Sequence, residues 1–291
     1  MAVTLSKLMG LQTPFCVVIG HPISHSLSPI LHNTAAQYHN ENFWYYALHV
    51  EPSDVYALKE LFVHPQFLGA NVTLPYKSRI REFINEEDDT ARKIGAVNTI
   101  VRYHDSLKGY NTDVYGFIQK LLPFRNRLTG EKAVVFGSGG ASKAVVYGLD
   151  QLNMGEILII SRNPDSTLEK YRGISEIVST GSYLDLQHGA GDAVLYVNTT
   201  PLGMAPKTLS SPVPDELTDI LKNSICYDIV YTPMETRFLQ QAKANGAETI
   251  DGLDMFIHQG DKAFQLWTGK HFPYEIVKQK LLEKLQVKSE R

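Results

Sequence analysis

Short apolar runs bounded by turn residues recur along this chain, with helical stretches between them. Residues 15–19 are continuously apolar and stop at Gly20, the pattern of a strand covered on both faces. Ser28-Pro29 then predicts a helix start, with Ser28 as N-cap and Pro29 at the first helical position. Further strands are expected over 45–50, over 69–73, where Pro75 cuts the run off, and over 96–103, with a turn at His104-Asp105-Ser106. Phe43, Trp44, Tyr45 and Tyr46 read as strand and core aromatics.

The pattern restarts after Thr129-Gly130. A strand over 132–136, a tight turn at Gly137-Ser138-Gly139-Gly140 and a helix over 141–152 are followed by strands over 156–160, 192–198 and 224–230. This alternation predicts an α/β architecture with largely parallel sheets. The domain border is expected at Asp113, at the start of a helix linking the halves. From Leu253 onward only helices are expected, over 255–267 and 273–287; lacking a strand, they should pack back on the first domain. The resulting division is 1–112, 113–252 and 253–291.

Size and charge narrow the partners. A chain of 291 residues, 43% hydrophobic and 20% charged, has the composition of an ordinary globular protein and the length of two domains. A net charge of −3 gives no basic footprint for nucleic acid or an anionic membrane. No apolar run approaches the ~18 residues that suggest a span, and the N-terminus has no signal-peptide pattern. Cys16 and Cys226, distant and each in an apolar run, read as buried reduced thiols. Together these predict a cytoplasmic monomer or homodimer acting on a small molecule.

The chemistry begins at the glycine turn. Gly137-Ser138-Gly139-Gly140-Ala141-Ser142 follows a strand and opens a helix, with Ser142 in the last position of the dinucleotide fingerprint. Gly137 would make the tight turn, Gly139 would let the backbone approach a pyrophosphate, and the helix N-terminus would hold that charge. At the tip of the next strand an NAD site carries an acidic residue; here the sequence is Ser161-Arg162-Asn163. A guanidinium fork suits a 2′-phosphate, so NADP is the expected cofactor, with NAD as secondary, since Asp165 is nearby.

Three polar clusters in the first half are poorly explained as packing: Ser24-His25-Ser26-Leu27-Ser28-Pro29, Asn71-Val72-Thr73-Leu74-Pro75-Tyr76-Lys77, and Gly95-Ala96-Val97-Asn98-Thr99 with Gly109-Tyr110-Asn111-Thr112-Asp113. Each lies near the end of a predicted strand, where open α/β sheets build crevices. Their hydroxyls, carboxamides, one amine and one carboxylate suit a polyhydroxylated acid.

In this order, joined by Asn198-Thr199-Thr200-Pro201-Leu202-Gly203-Met204, Asp228-Ile229-Val230-Tyr231-Thr232-Pro233 and Gln259, these stretches closely resemble the shikimate dehydrogenase family, from about Phe15 to Lys270. The resemblance implies an N-terminal α/β substrate-binding domain, a Rossmann-type doubly wound dinucleotide-binding domain, and C-terminal helices returning to the first domain. It implies reversible NADPH-dependent reduction of 3-dehydroshikimate to shikimate, in the biosynthesis of chorismate and aromatic amino acids. Ser26 and Ser28 would bind the substrate carboxylate; Asn71, Thr73, Asn98, Tyr231 and Gln259 would hold carboxylate and ring hydroxyls. Lys77 and Asp113 would both contact the reacting hydroxyl. Cofactor contacts are implied at Ser138, Gly139, Gly140 and Ala141, at Ser161 and Arg162, and at Ile229, Gly252 and Asp89.

Bottom-up chemistry agrees on the pair. Oxidising an alcohol requires a base at its hydroxyl, and reducing the ketone requires a donor. A lysine does both if a crevice lowers its pKa, while a neighbouring aspartate orients it and favours its charged form. Two features depart from the family pattern: Asp254 stands where a second glycine is frequent, and Arg162 has no second basic residue close behind it. A quinate/shikimate enzyme using NAD is the rival on the same scaffold, and a non-catalytic shikimate sensor is a more distant one. No metal is expected. His21, His25 and His32 share no helical face, because Pro22 and a loop intervene, and no further ligand completes them. Glu86-Glu87-Asp88-Asp89 reads as a solvated acidic helix start.

Overall fold

A computed structural model describes residues 2–186 and 190–289, without the side chains of Ala2 and 287–289. The chain divides into two compact units, one of Met1–Thr112 with Gln259–Arg291, the other of Asp113–His258.

The first unit is built on a seven-stranded sheet. Its strands are β1 (Ala2–Val3), β2 (Phe15–Gly20), β3 (Trp44–His49), β4 (Phe67–Val72), β5 (Glu86–Glu87), β6 (Thr99–Tyr103) and β7 (Ser106–Tyr110), in the order β1-β3-β2-β4-β6-β7-β5. The sheet is mixed: its pairings are largely parallel, as expected, but β6 runs antiparallel to both β4 and β7. The cause is local, because Tyr103 pairs with Ser106 across a two-residue turn in which His104 takes φ 53°, and so tight a turn can only reverse the chain. Every residue of β2 is buried, as its apolar run predicts. Trp44 departs from the expected core role: it stands 51% exposed, while Phe43 and Tyr45 point inward. Ser28 is not the N-cap of the helix Ser28–Tyr38. Leu27 occupies that place, and Ser26 Oγ accepts the Ser28 N–H at 3.3 Å.

The C-terminal segment closes this unit. Trp267, on the helix Leu253–Thr268, donates its indole N–H to Ile100 O at 2.9 Å. A Cβ on Gly69 would lie 2.3 Å from that nitrogen, so glycine admits the indole to the strand. The last helix, Tyr274–Ser289, packs on Ser28–Tyr38, and Lys270 pairs with Glu41 at 2.7 Å.

The second unit is a six-stranded, wholly parallel sheet of β8 (Lys132–Phe136), β9 (Glu156–Ile160), β10 (Val178–Gly181), β11 (Leu195–Asn198), β12 (Ile225–Asp228) and β13 (Glu248–Ile250). The order β10-β9-β8-β11-β12-β13 reverses direction between β8 and β11, the switch point where such sheets bind ligands beyond their carboxyl ends. Helix Asp113–Gln119 packs on helix Gly140–Gln151, where a Cβ on Gly148 would come within 2.9 Å of the Phe117 ring. Cys16 and Cys226, one in each unit, are buried and free. Among the described residues no helix is long and apolar enough to cross a membrane.

Candidate active site

In the first unit three of the sequence-predicted polar residues, Ser28, Asn71 and Asn98, meet near the carboxyl end of β4. Asn71 is buried, and its Oδ1 accepts the Tyr45 hydroxyl at 2.7 Å while its Nδ2 donates to Thr99 Oγ1 at 3.0 Å and Asn98 O at 3.3 Å. The Tyr45 hydroxyl also faces that of Ser28. Asn98 continues the chain of bonds: its Nδ2 donates to Thr112 Oγ1 at 3.0 Å and its Oδ1 accepts Thr112 N–H at 2.7 Å. The carboxamide of Asn98 thereby fixes the residue immediately before Asp113. Ser28, Asn71 and Asn98 are joined in one network through Tyr45, Thr99 and Thr112. Those three had no role assigned from sequence, although Thr99 and Thr112 stand inside the quoted motifs. Tyr45 read as core, and nothing local in a sequence distinguishes a buried phenol that aims its hydroxyl at a carboxamide.

The lysine segment is held by its backbone. Thr73 N–H donates to Ile19 O at 2.9 Å, and Lys77 O accepts Val97 N–H at 2.7 Å, tying the turn that carries Lys77 to the loop that carries Asn98. A Cβ on Gly20 would stand 2.5 Å from Thr73 Cγ2, so glycine leaves the room Thr73 occupies. Lys77 and Ser26 are both half-buried. Asp113, the first residue of its helix, is buried. His32 lies beneath this network, stacked on the Tyr45 ring at 4.2 Å; burial drives its pKa down to about 3, so it is neutral. Gln259 is half-buried on the helix Leu253–Thr268.

In the second unit strand register sets the cofactor candidates. Phe136 aligns with Ile160 and Asn198, and Asn198 with Asp228. The next residues, Gly137, Ser161, Thr199 and Ile229, therefore form one row along the carboxyl edge. Gly137 takes φ +97°, and a Cβ there would meet Thr200 Cγ2 at 2.9 Å, so both conformation and contact require glycine. A Cβ on Gly139 or Gly140 would meet nothing within 4 Å; the backbone there faces open space at the N-terminus of the helix Gly140–Gln151, as a diphosphate needs. Ser138 and Ala141 flank this opening, both half-buried. Ser142 Oγ donates to Gly139 O at 2.6 Å and bonds the Tyr171 hydroxyl at 2.6 Å, which fixes the loop from below.

Ser161 and Arg162 separate. The Ser161 hydroxyl turns inward to Thr167 Oγ1 at 2.9 Å, whereas Arg162 is exposed. Gly252 is buried where a Cβ would lie 2.2 Å from Ile229 O, so the two cofactor candidates touch through their backbones. Asp254 pairs with Lys120 at 2.9 Å, which gives the departure from glycine at that position a structural partner. Tyr231 stacks on Phe256 at 4.9 Å, and burial pushes its phenol pKa up. Asp89 belongs to the first unit, whereas the other cofactor candidates belong to the second; it is exposed and pairs with Arg92 at 2.6 Å. The preceding Asp88 caps that helix by accepting Ala91 N–H at 2.7 Å.

Asp228 is a buried acid that had no role assigned from sequence. Asp228 accepts from Thr236 Oγ1 at 2.6 Å, Val230 N at 2.9 Å and Asn198 Nδ2 at 3.0 Å. Burial nevertheless raises its pKa from 3.8 to about 6. It anchors the turn that leads to Ile229 and Tyr231.

Residues 18–100 match the family model of the shikimate dehydrogenase substrate binding domain, and residues 252–282 that of the shikimate 5'-dehydrogenase C-terminal domain. The chain is 36% identical over 287 residues to shikimate dehydrogenase (NADP(+)) of Synechocystis sp., covering 97% of each. This chain belongs to the shikimate dehydrogenase family. Two solved members of the family share its fold. Shikimate 5-dehydrogenase from Listeria monocytogenes, in complex with shikimate and NAD, superposes with a TM-score of 0.85 at 31% identity, over 92% of this chain and 96% of that one. Shikimate 5-dehydrogenase from Thermus thermophilus, in complex with NADP(H) and shikimate, gives 0.81 at 32% identity, over 92% and 98%.

Proposed function

We propose that this chain catalyses the reversible NADP-linked oxidation of shikimate to 3-dehydroshikimate, working biosynthetically in the direction of reduction. The observation that carries the reading is the bonded network from Ser28 through Tyr45, Asn71, Thr99 and Asn98 to Thr112, in a chain homologous end to end with shikimate dehydrogenases. Residues 1–112 with the C-terminal helices form the substrate domain, and the parallel sheet forms the dinucleotide domain. Two buried free thiols support a reducing, cytoplasmic setting.

Ser26 and Ser28 donate hydroxyl hydrogens to the substrate carboxylate, and Asn71, Thr73, Asn98, Tyr231 and Gln259 hold carboxylate and ring hydroxyls. Lys77 Nζ takes the proton of the reacting hydroxyl during oxidation and returns it to the ketone oxygen during reduction. Asp113 stands beside that hydroxyl, orients the Lys77 amine and favours its ammonium form once the proton has moved. NADP, when bound, supplies the hydride acceptor. Gly137 to Ala141 fit its diphosphate, because no side chain fills the space before the helix N-terminus. Arg162 fits its 2′-phosphate: it is exposed at the tip of β9, where an NAD site carries an acid. Ile229 and Gly252 lie further along the same carboxyl edge, beyond β8 and β11, and Asp89 is the remaining candidate.

Initial rates with shikimate and quinate, each with NADP+ and NAD+, test the reading. Shikimate with NADP+ should give the highest kcat/KM of the four. Quinate with NAD+ as clearly the best pair would overturn both the substrate and the cofactor assignment.

A further inference from the structure

The sequence separates His21 from any ligand set, yet the fold supplies one. His21 follows β2 directly, and His49 ends β3 in register with Gly20. Glu51 lies two residues further on, ahead of the 3-10 turn Pro52–Ala57. His21 Nδ1 is 3.3 Å from His49 Nε2 and 3.4 Å from Glu51 Oε2, and His49 Nε2 is 2.9 Å from Glu51 Oε1. Among the described residues this is the group of three His, Cys, Asp or Glu side chains whose ligand atoms all lie within 4.8 Å of one another.

We propose that His21, His49 and Glu51 form a binding site for a zinc-class divalent ion, with a fourth position open to water. The spacing is that of a coordination sphere: ligands about 2.0–2.1 Å from a tetrahedral zinc lie roughly 3.3 Å from one another. The side chains are set from the backbone. Gly20 O accepts Val50 N–H at 3.3 Å, His21 N–H donates to Leu74 O at 3.0 Å, and Glu51 O accepts Asp54 N–H at 2.9 Å. Two imidazoles and one carboxylate favour zinc-class ions over magnesium or calcium, which take oxygen ligands. All three side chains are partly exposed, at 35%, 37% and 53%, which gives an ion access. An ion bound here fastens the end of β2 to the end of β3.

The site is tested on the untagged, chelator-treated chain by calorimetric titration with ZnCl2 and by the visible spectrum after Co2+ loading. One equivalent of zinc should bind, and Co2+ should give the intense absorption of a four-coordinate ion. His21→Ala and His49→Ala should each weaken zinc by at least about 100-fold and Glu51→Gln by at least about 10-fold, since losing even an outer partner costs 10–100-fold. Because the side chains are partly exposed, melting of the metal-free variants should match that of the parent. Absence of saturable binding, an unchanged isotherm in His49→Ala, or the weak spectrum of an octahedral Co2+ ion would each overturn the proposal. None of these readouts involves shikimate or NADP, so the result is independent of the proposed activity.

Discussion

At the scale of single residues, the proposed mechanism divides the site between groups that hold and groups that react. Asn71 and Asn98 spend their carboxamides on Tyr45, Thr99 and Thr112, which fixes their orientation before any ligand arrives. The segment carrying Lys77 is held through the lysine's own carbonyl, and the proposed mechanism makes its amine the proton acceptor. Replacing Lys77 by alanine should therefore lower kcat by ~10²–10⁴, the usual contribution of general acid–base catalysis. The KM for shikimate should change much less, because Ser26, Ser28, Asn71, Thr73, Asn98 and Gln259 remain, and losing a group that acts in the transition state lowers kcat. Steady-state kinetics of shikimate oxidation measure this. A near-normal kcat with a greatly raised KM would make Lys77 a binding residue and move the base to Asp113 or a water.

At the scale of elements, the proposed cofactor preference rests on the strand tips of the parallel sheet. Ser161 turns in to Thr167, so in the proposed reading Arg162 carries the distinction at the end of β9. Arg162→Ala should remove one charged phosphate contact worth ~1.5–3 kcal/mol, lowering kcat/KM for NADP+ by about 10- to 150-fold. Its effect with NAD+ should be small; equal losses with both cofactors would mark a structural arginine. These tips were legible in the sequence because β8 and β9 are apolar runs ending in Gly137 and Ser161, and the structure gives them the bounds expected. The short polar strands β5 and β7 were not, since Glu86-Glu87 reads as a solvated acidic start until pairing with Lys108 and Gly109 makes it an edge. Neither was the outward turn of Trp44, set by alternation along β3 rather than by hydrophobicity. The pairing of His21 with His49 depends on neighbouring parallel strands, which no local spacing encodes.

At the scale of the whole molecule, burial of Asp228 makes stability depend on pH. Its folded pKa of about 6 lies above the ordinary 3.8, so between these values the folded state holds a proton that the unfolded state has released. Stability from this group is therefore present below about pH 4 and is lost as pH rises through 6, by about 3 kcal/mol for a shift of roughly two units. The asparagine variant lacks this titration. Urea unfolding followed by far-ultraviolet circular dichroism should show the parent losing stability relative to Asp228→Asn between pH 4 and 6.5, with a constant difference above that. A difference independent of pH throughout would mean that the three hydrogen bonds to Asp228 fully offset its desolvation.

The chain leaves its first unit at Thr112 and re-enters it at Gln259. During synthesis the parallel sheet is therefore a contiguous stretch, and all its strands have been made before the older unit has its last helices. Domains generally fold as units as the chain emerges. Here the N-terminal sheet, although made first, has to wait with Gly69 and Ile100 uncovered until Trp267 leaves the ribosome. The order of translation and the order of completion are reversed, and a nascent chain halted just short of Gln259 would carry a finished second half beside an unfinished first.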